Sequence, residues 1–218
     1  MLIVVFIQMF LGLVNHLDMT EGVYWVTRFD QDIDDEWRGR CREFEDYYTI
    51  VEEEGNSCLY ASSEDSDCFI VKPIKVDIVE YPYLNWRWKS VDRPPNGDES
   101  DKSVCDVSAS IAVVLNKSKI FPKSIKYSWS STLPKEKLTE SPYAIWPSKC
   151  FIRVMRSDED PQDEWIYEKV NVLEDFKHFY KRKKFHTKKI YALVIMSDSD
   201  NTGGPSSAFY DDIYFSKS

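Results

Sequence analysis

The chain has 218 residues, enough for one domain that buries a core of its own without cross-links. Its formal net charge at pH 7 is −9, and because nucleic-acid binding needs a basic face, this charge argues against DNA or RNA as a partner. Aromatic residues make up 15% of the sequence, a share that suits the wide core of a β-sheet protein or a surface on which sugar rings stack.

The first predicted element is an apolar run at the N-terminus. Residues 2–14 are apolar apart from Gln8 and Gly12, which is too short for a comfortable membrane span but matches a signal-peptide core. No Lys or Arg precedes the run and no A-x-A site follows it, so residues 1–20 are interpreted either as a signal peptide or as a disordered start. The first interpretation predicts a secreted or periplasmic protein, and the second leaves a cytoplasmic location open. No later segment resembles a transmembrane helix.

From residue 23 onward, apolar and polar side chains alternate with the period of two that is typical of β-strands. The clearest case is the segment 83–89, where Leu84, Trp86 and Trp88 share one face and polar residues share the other. A turn at 54–56 joins two of the strands into a hairpin. Strands are predicted at 23–29, 47–51, 58–61, 67–79 (one or two strands, separated near Pro73), 83–89, 107–115, 124–130, 150–155, 165–170, 190–196 and 208–215.

One segment has helical periodicity. Between Val172 and Tyr180, apolar residues recur on a single helical face. Asn171 is the predicted N-cap, and Glu174, three residues later, is its partner in a capping box. With about ten strands, one short helix and no alternating βαβ pattern, the sequence predicts an all-β fold. We expect a two-sheet antiparallel β-sandwich that forms a single domain over residues 23–216.

The five cysteines are scattered along the chain, at Cys41, Cys58, Cys68, Cys105 and Cys150. None of them forms a C-x-x-C pair, which excludes a zinc ribbon or a thioredoxin-like redox motif. Their odd number leaves at least one thiol unpaired. Disulfides are expected if the chain is exported, but the spacing does not determine which cysteines pair.

Five motifs occur in a fixed order along the chain. They are Y-P-Y-L-N-W-R-W-K at 81–89, an acidic and then apolar strand at 104–115, S-I-K-Y-S-W-S at 124–130, a segment from Trp165 through Phe179, and an ending at 195–215 that contains S-D-S-D-N-T-G and A-F-Y-D-D-I-Y-F. Together they resemble the bacterial domain-of-unknown-function family 3047, over roughly residues 28–215. Since this family has no established reaction, the resemblance bears on the fold more than on the function.

The chain departs from the family pattern at one place. The family usually has Gly-Asp-Asp after a variable loop and an Arg a few positions later. Here the loop ends in Val104, Cys105 and Asp106, and the segment 108–110 contains no Arg. An activity carried by those charges is therefore not expected to be retained unchanged.

The opening around Asp30 and the ending also resemble galactose-binding-like jelly rolls that serve as carbohydrate-binding modules. In such folds an acidic residue of the first strand and one of the last strand often hold a structural Ca²⁺. The resemblance therefore implies calcium ligands at Asp30 and at Asp211 or Asp212. Because successive strand residues point to opposite faces, at most one of the two adjacent aspartates is expected to face any given site.

A second oxygen-rich turn is formed by Asp198, Asp200 and Asn201, which resemble the start of a calcium loop but lack its later bidentate Glu. The alternative for all of these acidic residues is an Asx-turn at the end of a strand, where the side chain bonds to local amides.

Candidate ligand-binding residues follow from the needs of a sugar site, which combines exposed aromatic rings with polar groups that bind hydroxyls. Asn85 and Arg87 are candidates for a polar concave surface, Trp129 and Trp146 are candidate aromatic platforms, and Asp106 and Asp198 are candidate polar contacts. Tyr143 and Trp165 are further candidate platforms. Large aromatics such as Trp86, Trp88 and Trp129 are equally expected in the core between two sheets.

No catalytic motif stands out. A glycosidase needs two facing carboxylates, and although Asp106, Glu168 and Asp198 are conceivable members, no spacing singles them out. The sequence contains no nucleophile elbow, phosphate loop or H-E-x-x-H, and we expect no catalysis.

Three hypotheses about function remain. The first is an exported, non-catalytic β-sandwich that binds glycan or another cell-envelope ligand, and it predicts exposed aromatics on a sheet face or at loop tips. The second is a polysaccharide-acting enzyme, which predicts two facing carboxylates in a cleft. The third is a structural or protein-interaction sandwich, which predicts a flat apolar patch.

Overall fold

The computed structural model describes residues 22–33, 35–41, 43–116, 118, 122–181 and 189–218. The strands are β1 (Val23–Thr27), β2 (Arg38–Gly39), β3 (Tyr48–Glu53), β4 (Asn56–Glu64), β5 (Phe69–Asp77), β6 (Tyr83–Asp92), β7 (Val107–Val114), β8 (Lys123–Trp129), β9 (Leu138–Glu140), β10 (Lys149–Arg156), β11 (Ile166–Asn171), β12 (Lys189–Asp198) and β13 (Pro205–Ser216). The predicted signal peptide or disordered start at residues 1–20 lies outside the described residues. Within them, no helix has the length and hydropathy that a bilayer crossing requires.

The strands form two sheets, which confirms the predicted all-β sandwich. The six-stranded sheet has the order β11-β6-β13-β4-β3, with β1 paired to the far end of β13. The seven-stranded sheet has the order β2-β5-β12-β7-β8-β10-β9. All described pairs are antiparallel except β8 and β10, which run parallel with Lys123 opposite Lys149. The sequence pattern did not reveal this parallel pair, because an alternating strand looks the same in either orientation.

Large aromatic side chains fill the space between the two sheets. Trp86 and Trp88 of β6 lie edge to face at 5.2 Å, and they contact Tyr127 and Trp129 of β8 at centroid distances of 5.8 and 5.7 Å. The apolar face of β6 is therefore the core face, as its alternation indicates.

The core position of Trp129 corrects one prediction. Its side chain is fully buried, and its indole N–H donates to the backbone oxygen of Ser157 at 3.1 Å. Trp129 therefore has no surface on which a ligand could stack. Trp129 lies there because it is on the inward face of β8, where it packs against the other aromatic rings of the core.

Among the described residues, one α-helix, α1, spans Val172–Tyr180, as predicted. The Asn171 side chain accepts a hydrogen bond from the Glu174 N–H at 3.0 Å, so the predicted N-cap is formed. The Glu174 carboxylate bonds to Lys177 at 2.6 Å. The helix buries Val172 and Phe176 against the core.

Pro73 does not break the strand in which it lies. The segment predicted as one or two strands is a single strand, β5, and the register of its partner β12 shifts between Ile190 and Ala192, opposite Pro73. Such an irregularity accommodates a residue without an N–H donor. The short strands β2 and β9, of two and three residues, were not predicted because so few residues carry no periodicity.

One disulfide joins Cys41 to Cys68. Cys58 and Cys105 are buried free thiols, and Cys150 is a partly exposed one. Burial raises the pKa of Cys58 to about 12 and that of Cys105 to about 11. These thiols are therefore unreactive at neutral pH.

We expect Trp129→Ala to lower the free energy of unfolding by about 3–5 kcal/mol, because it leaves a cavity among packed indole rings. Urea denaturation followed by far-UV circular dichroism measures the change. Trp146→Ala is the matched control: that side chain is 82% exposed, and its removal should change the stability by no more than about 0.5 kcal/mol. Equal effects of the two substitutions would contradict the assignment of Trp129 to the core.

Candidate functional site

The outer face of the six-stranded sheet carries polar and charged side chains that are almost as buried as the core. Because Trp86 and Trp88 face inward, Asn85, Arg87 and Lys89 of the same strand face outward. Lys89 is only 2% exposed and Asn85 only 7%. The sequence prediction that Asn85 and Arg87 lie on a polar sheet surface agrees with this arrangement. We call this surface the polar sheet face.

Arg87 lies at the centre of the polar sheet face. It is directly opposite Asp211 of β13, and its Nη2 lies 2.5 Å from Asp211 Oδ2. Asp211 Oδ2 also accepts a hydrogen bond from the Asn56 amide at 2.7 Å. Burial disfavours the guanidinium charge, but the hydrogen bond and the negative charge of Asp211 outweigh it and raise the pKa of Arg87.

Asp212 also faces Arg87, which corrects the expectation that only one of the two adjacent aspartates faces a given site. Arg87 Nε lies 3.2 Å from Asp212 Oδ2. The register between β6 and β13 shifts between Asp211 and Tyr214, and Asp212 has a positive φ of 49°. A bulge of this kind sets extra residues of one strand against the other, so the period-two argument fails here.

Lys89 forms a second ion-pair group on the same face. Its ammonium pairs with Glu53 of β3 and lies 3.2 Å from Asp163 Oδ1. The same nitrogen lies 4.6 Å from the ring centroid of Phe209 and 5.8 Å from that of Trp165. These contacts restrain the side chain of the nearly buried Lys89. A solvated surface lysine has no such contacts.

Aromatic rings border these charges. The Arg87 guanidinium lies 4.6 Å from the Trp165 ring centroid and 6.0 Å from that of Tyr167. Trp165 and Phe209 lie 6.2 Å apart, and Phe209 contacts Tyr60 at 4.8 Å. Tyr167 is 68% exposed and presents its ring to solvent.

A groove of about 450 Å³ opens beside Tyr167 on this face. Its lining includes Trp25, Asn85, Tyr167, Lys169, Asp212 and Tyr214. Within the groove, Trp25 and Tyr214 lie 4.7 Å apart, and Asn85 Nδ2 donates to Ser216 Oγ at 3.0 Å. We call this cavity the sheet groove. It combines ring faces with fixed polar groups, as small-molecule sites commonly do.

Sequence reasoning did not single out Tyr167, Lys89 or Asn56. For Tyr167 a signal was present, since Trp165, Tyr167 and Lys169 alternate with the inward-facing residues of β11. Lys89 was assigned to the polar face of its strand, but its burial depends on Glu53 and Asp163, which are remote in sequence.

A second cluster, the acidic rim, lies where β7 begins and β12 ends. It consists of Asp106, Asp198 and Asp200, whose carboxylate oxygens lie within 4.8 Å of one another. The strand register explains the proximity, because Asp198 pairs with Val107, the residue after Asp106. Two predicted site residues, Asp106 and Asp198, are thus brought together.

Each carboxylate of the acidic rim has a different environment. Asp106 is fully buried and accepts hydrogen bonds from the N–H of Asn201 at 3.1 Å and from the N–H and hydroxyl of Thr202 at 2.7 and 2.6 Å. Burial raises the pKa of Asp198 to about 8; the Lys126 charge opposes this shift, and Asp106 and Asp200 add to it.

Lys126 and Tyr143 complete the surroundings of the acidic rim. Lys126 is a cation whose charge acts on Asp198, on the fully buried Glu99 and on Cys105. The Tyr143 hydroxyl donates to Asn201 Oδ1 at 3.1 Å and to the Lys102 backbone oxygen at 3.3 Å. Tyr143 therefore ties its own loop to both loops that carry the acidic rim.

The remaining predicted residues lie apart from both clusters. Trp146 belongs to the loop before β10, next to Ile145, which is 81% exposed. Glu168 is paired with Arg156 at 2.5 Å and lies on the inward side of β11, so it does not face Asp106 or Asp198 across a cleft. Asp30 is exposed.

Calcium at Asp30, Asp211 and Asp212 stays a prediction, and the contacts of these residues weaken it. Arg87 already pairs with both Asp211 and Asp212, so a cation side chain occupies the position between them. Among the described residues, the acidic rim is the group of at least three metal-ligating side chains whose ligand atoms converge.

We expect Arg87→Met to lower the free energy of unfolding by about 3–5 kcal/mol, because Asp211 becomes a buried carboxylate without its cation. Adding Asp211→Asn should recover part of that loss, which urea denaturation of the single and double variants measures. Lys169→Met, on the exposed side of the neighbouring strand, is the control and should change the stability little. A double variant no more stable than Arg87→Met would contradict a dominant Arg87–Asp211 interaction.

The family model described as "Protein of unknown function (DUF3047)" matches residues 35–214. No curated protein matches the chain. Among solved structures, the family 11 carbohydrate-binding module of the cellulase Lic26A-Cel5E of Clostridium thermocellum is similar, with 10% identity, 90% of this chain and 95% of that chain covered, and a TM-score of 0.46.

A family 12 xyloglucanase from Bacillus licheniformis is also similar, with 10% identity, coverage of 88% and 91%, and a TM-score of 0.45. The xyloglucanase domain of NopAA from Sinorhizobium fredii has 6% identity, coverage of 88% and 92%, and a TM-score of 0.42. These values are too low to carry an argument about function. The family match covers most of the sequence, and the chain therefore belongs to DUF3047, a protein family of unknown function.

Proposed function

We propose that this chain is a non-catalytic binding domain for glycan or a related cell-envelope ligand, and that it binds glycan on the polar sheet face. The observation that carries the proposal is the exposed ring of Tyr167 beside the sheet groove, next to the ion-paired Arg87. The Tyr167 ring can stack on the apolar face of a sugar, and the charged groups beside it can bond to sugar hydroxyls.

The chemistry of a pyranose suits this surface. Its C–H face is apolar and stacks on an aromatic ring such as Tyr167, whereas its hydroxyls bond to amide, carboxylate or guanidinium groups. In the sheet groove, Asn85 and Asp212 supply such groups. Because Arg87 and Ser216 already hold these two side chains, little conformational entropy remains to be lost on binding.

An exported location is part of the proposal. The disulfide between Cys41 and Cys68 supports it, since disulfides persist in oxidising compartments and are rare in the bacterial cytosol. A glycan of the cell envelope or its surroundings would be accessible to the chain there.

The two other hypotheses have weaker support. For an enzyme, Glu168 is engaged with Arg156, and Asp106 with the turn at Asn201 and Thr202, so these carboxylates have structural partners. For an interaction protein, the exposed pair of Ile145 and Trp146 provides apolar surface, but it is confined to one loop.

We expect Tyr167→Ala to weaken glycan binding at least about fivefold, because stacking of a sugar on an aromatic ring contributes on the order of 1 kcal/mol or more. Isothermal titration with soluble hexaoses of glucose, xylose and mannose measures the affinity. Tyr167 is exposed, so the variant should fold as the wild type does.

Trp146→Ala removes another exposed ring, which lies in the loop before β10 and does not line the sheet groove, and it should leave the affinity unchanged. Binding of no hexaose to the wild type, or equal loss in both variants, would contradict a glycan site on the polar sheet face. Release of reducing ends from the same oligosaccharides would instead favour the enzyme hypothesis.

A further inference from the structure

The acidic rim gathers three carboxylates from two strand ends that the fold holds side by side. Asp106 leads into β7, Asp198 closes β12, and Asp200 follows two residues later in the turn to β13. Their ligand oxygens lie within 4.8 Å of one another. We propose that Asp106, Asp198 and Asp200 bind one calcium ion.

The strongest support is an acceptor without a donor. Asp198 is only 6% exposed, and its Oδ1 accepts no hydrogen bond from an N–H or hydroxyl group of the residues that the structure describes. A buried acceptor left without a partner costs free energy, and the charges of the two neighbouring carboxylates disfavour ionisation of Asp198. A bound cation supplies the missing partner and offsets the repulsion among the three.

Hydrogen bonds already hold the Asp106 carboxylate in the orientation that a ligand of the ion needs. Its Oδ2 accepts hydrogen bonds from the N–H and the hydroxyl of Thr202, and its Oδ1 accepts from the Asn201 N–H at 3.1 Å. A carboxylate oxygen has two acceptor positions, so Oδ1 retains one for a metal. The same bonds pin the turn that carries Asp200, which orients both ligands.

The donor set selects the type of ion. All three side chains offer oxygen, which hard cations prefer over the nitrogen and sulfur ligands of zinc. Two oxygens bound to one Ca²⁺ at about 2.4 Å are at most about 4.8 Å apart, and these ligand atoms lie within 4.8 Å of one another, close enough to share one ion. Asp200 is exposed, so water can complete the six to eight oxygens that calcium takes. Magnesium demands a smaller octahedral arrangement and loses its water reluctantly.

Two chain segments pack closely against each other next to the acidic rim, and an ion bound there would link them. A Cβ on Gly204 would lie 2.3 Å from Pro95, and one on Gly97 would lie 2.8 Å from the Asp106 backbone oxygen. The turn before β13 and the loop before β7 are therefore already in contact. An ion shared by Asp106 and Asp200 joins the same two segments and stabilises the folded state.

The test uses the full chain after treatment with chelator. Isothermal titration with CaCl₂ should give one site per chain with a dissociation constant below about 1 mM, and calcium should raise the melting temperature relative to EDTA. MgCl₂ should bind more weakly. No calcium binding at 10 mM, a concentration about tenfold above that limit, would overturn the proposal.

Two single substitutions locate the ion. Asp200→Asn removes an exposed ligand without disturbing the core, and we expect it to lower calcium affinity at least about tenfold. The calcium-free melting temperature should stay the same or rise, because one of three mutually repelling carboxylates is removed. Asp212→Asn is the matched control at the other acidic site and should leave calcium binding unchanged. The reverse pattern would overturn the proposal and place the ion beside Arg87 instead. Since Tyr167 is not part of the acidic rim, failure of glycan binding leaves this test intact.

Discussion

Burial of the indole rings of Trp86 and Trp88 fixes the two faces of β6, and the rest of the structure depends on that choice. A shift of one residue would expose both rings and drive Arg87 and Lys89 into the core, at a cost far above the stability of a domain. The rings contact Tyr127 and Trp129, which sets the outward face of β8 and the position of Lys126. The polar sheet face and the surroundings of the acidic rim are thus two results of one packing arrangement.

The polar sheet face shows how a sheet can hold buried charge outside its core. Arg87 and Lys89 are each matched by carboxylates from a neighbouring strand or loop, so neither is desolvated without compensation. Aromatic rings of Trp165 and Phe209 lie alongside and reduce access of water to the pairs. Such a surface is rigid and chemically varied, which suits recognition better than it suits a simple solvent boundary.

Local periodicity was sufficient for the longer strands, the helix and its cap, and for the polar face of β6, but not for the short strands β2 and β9. These features depend on residues adjacent in sequence, such as Asn171 and Glu174. Periodicity was insufficient where the position of a side chain depends on contacts between segments that are distant in sequence. The bulge at Asp212 brings a second carboxylate to Arg87. The sequence pattern does not predict the positive φ that Asp212 adopts in this bulge. Trp129 was ambiguous because a tryptophan suits a core and a sugar platform equally well, and only the sheet packing separates the two.

The two short strands β2 and β9 determine how the seven-stranded sheet meets its surroundings. They form its two edges with two and three residues, whereas the strands inside them, β5 and β10, have nine and eight. An edge this short leaves few backbone groups with which another chain could pair. Loss of either short strand would turn a long strand into an open edge, where β-strands of other chains could pair and cause self-association.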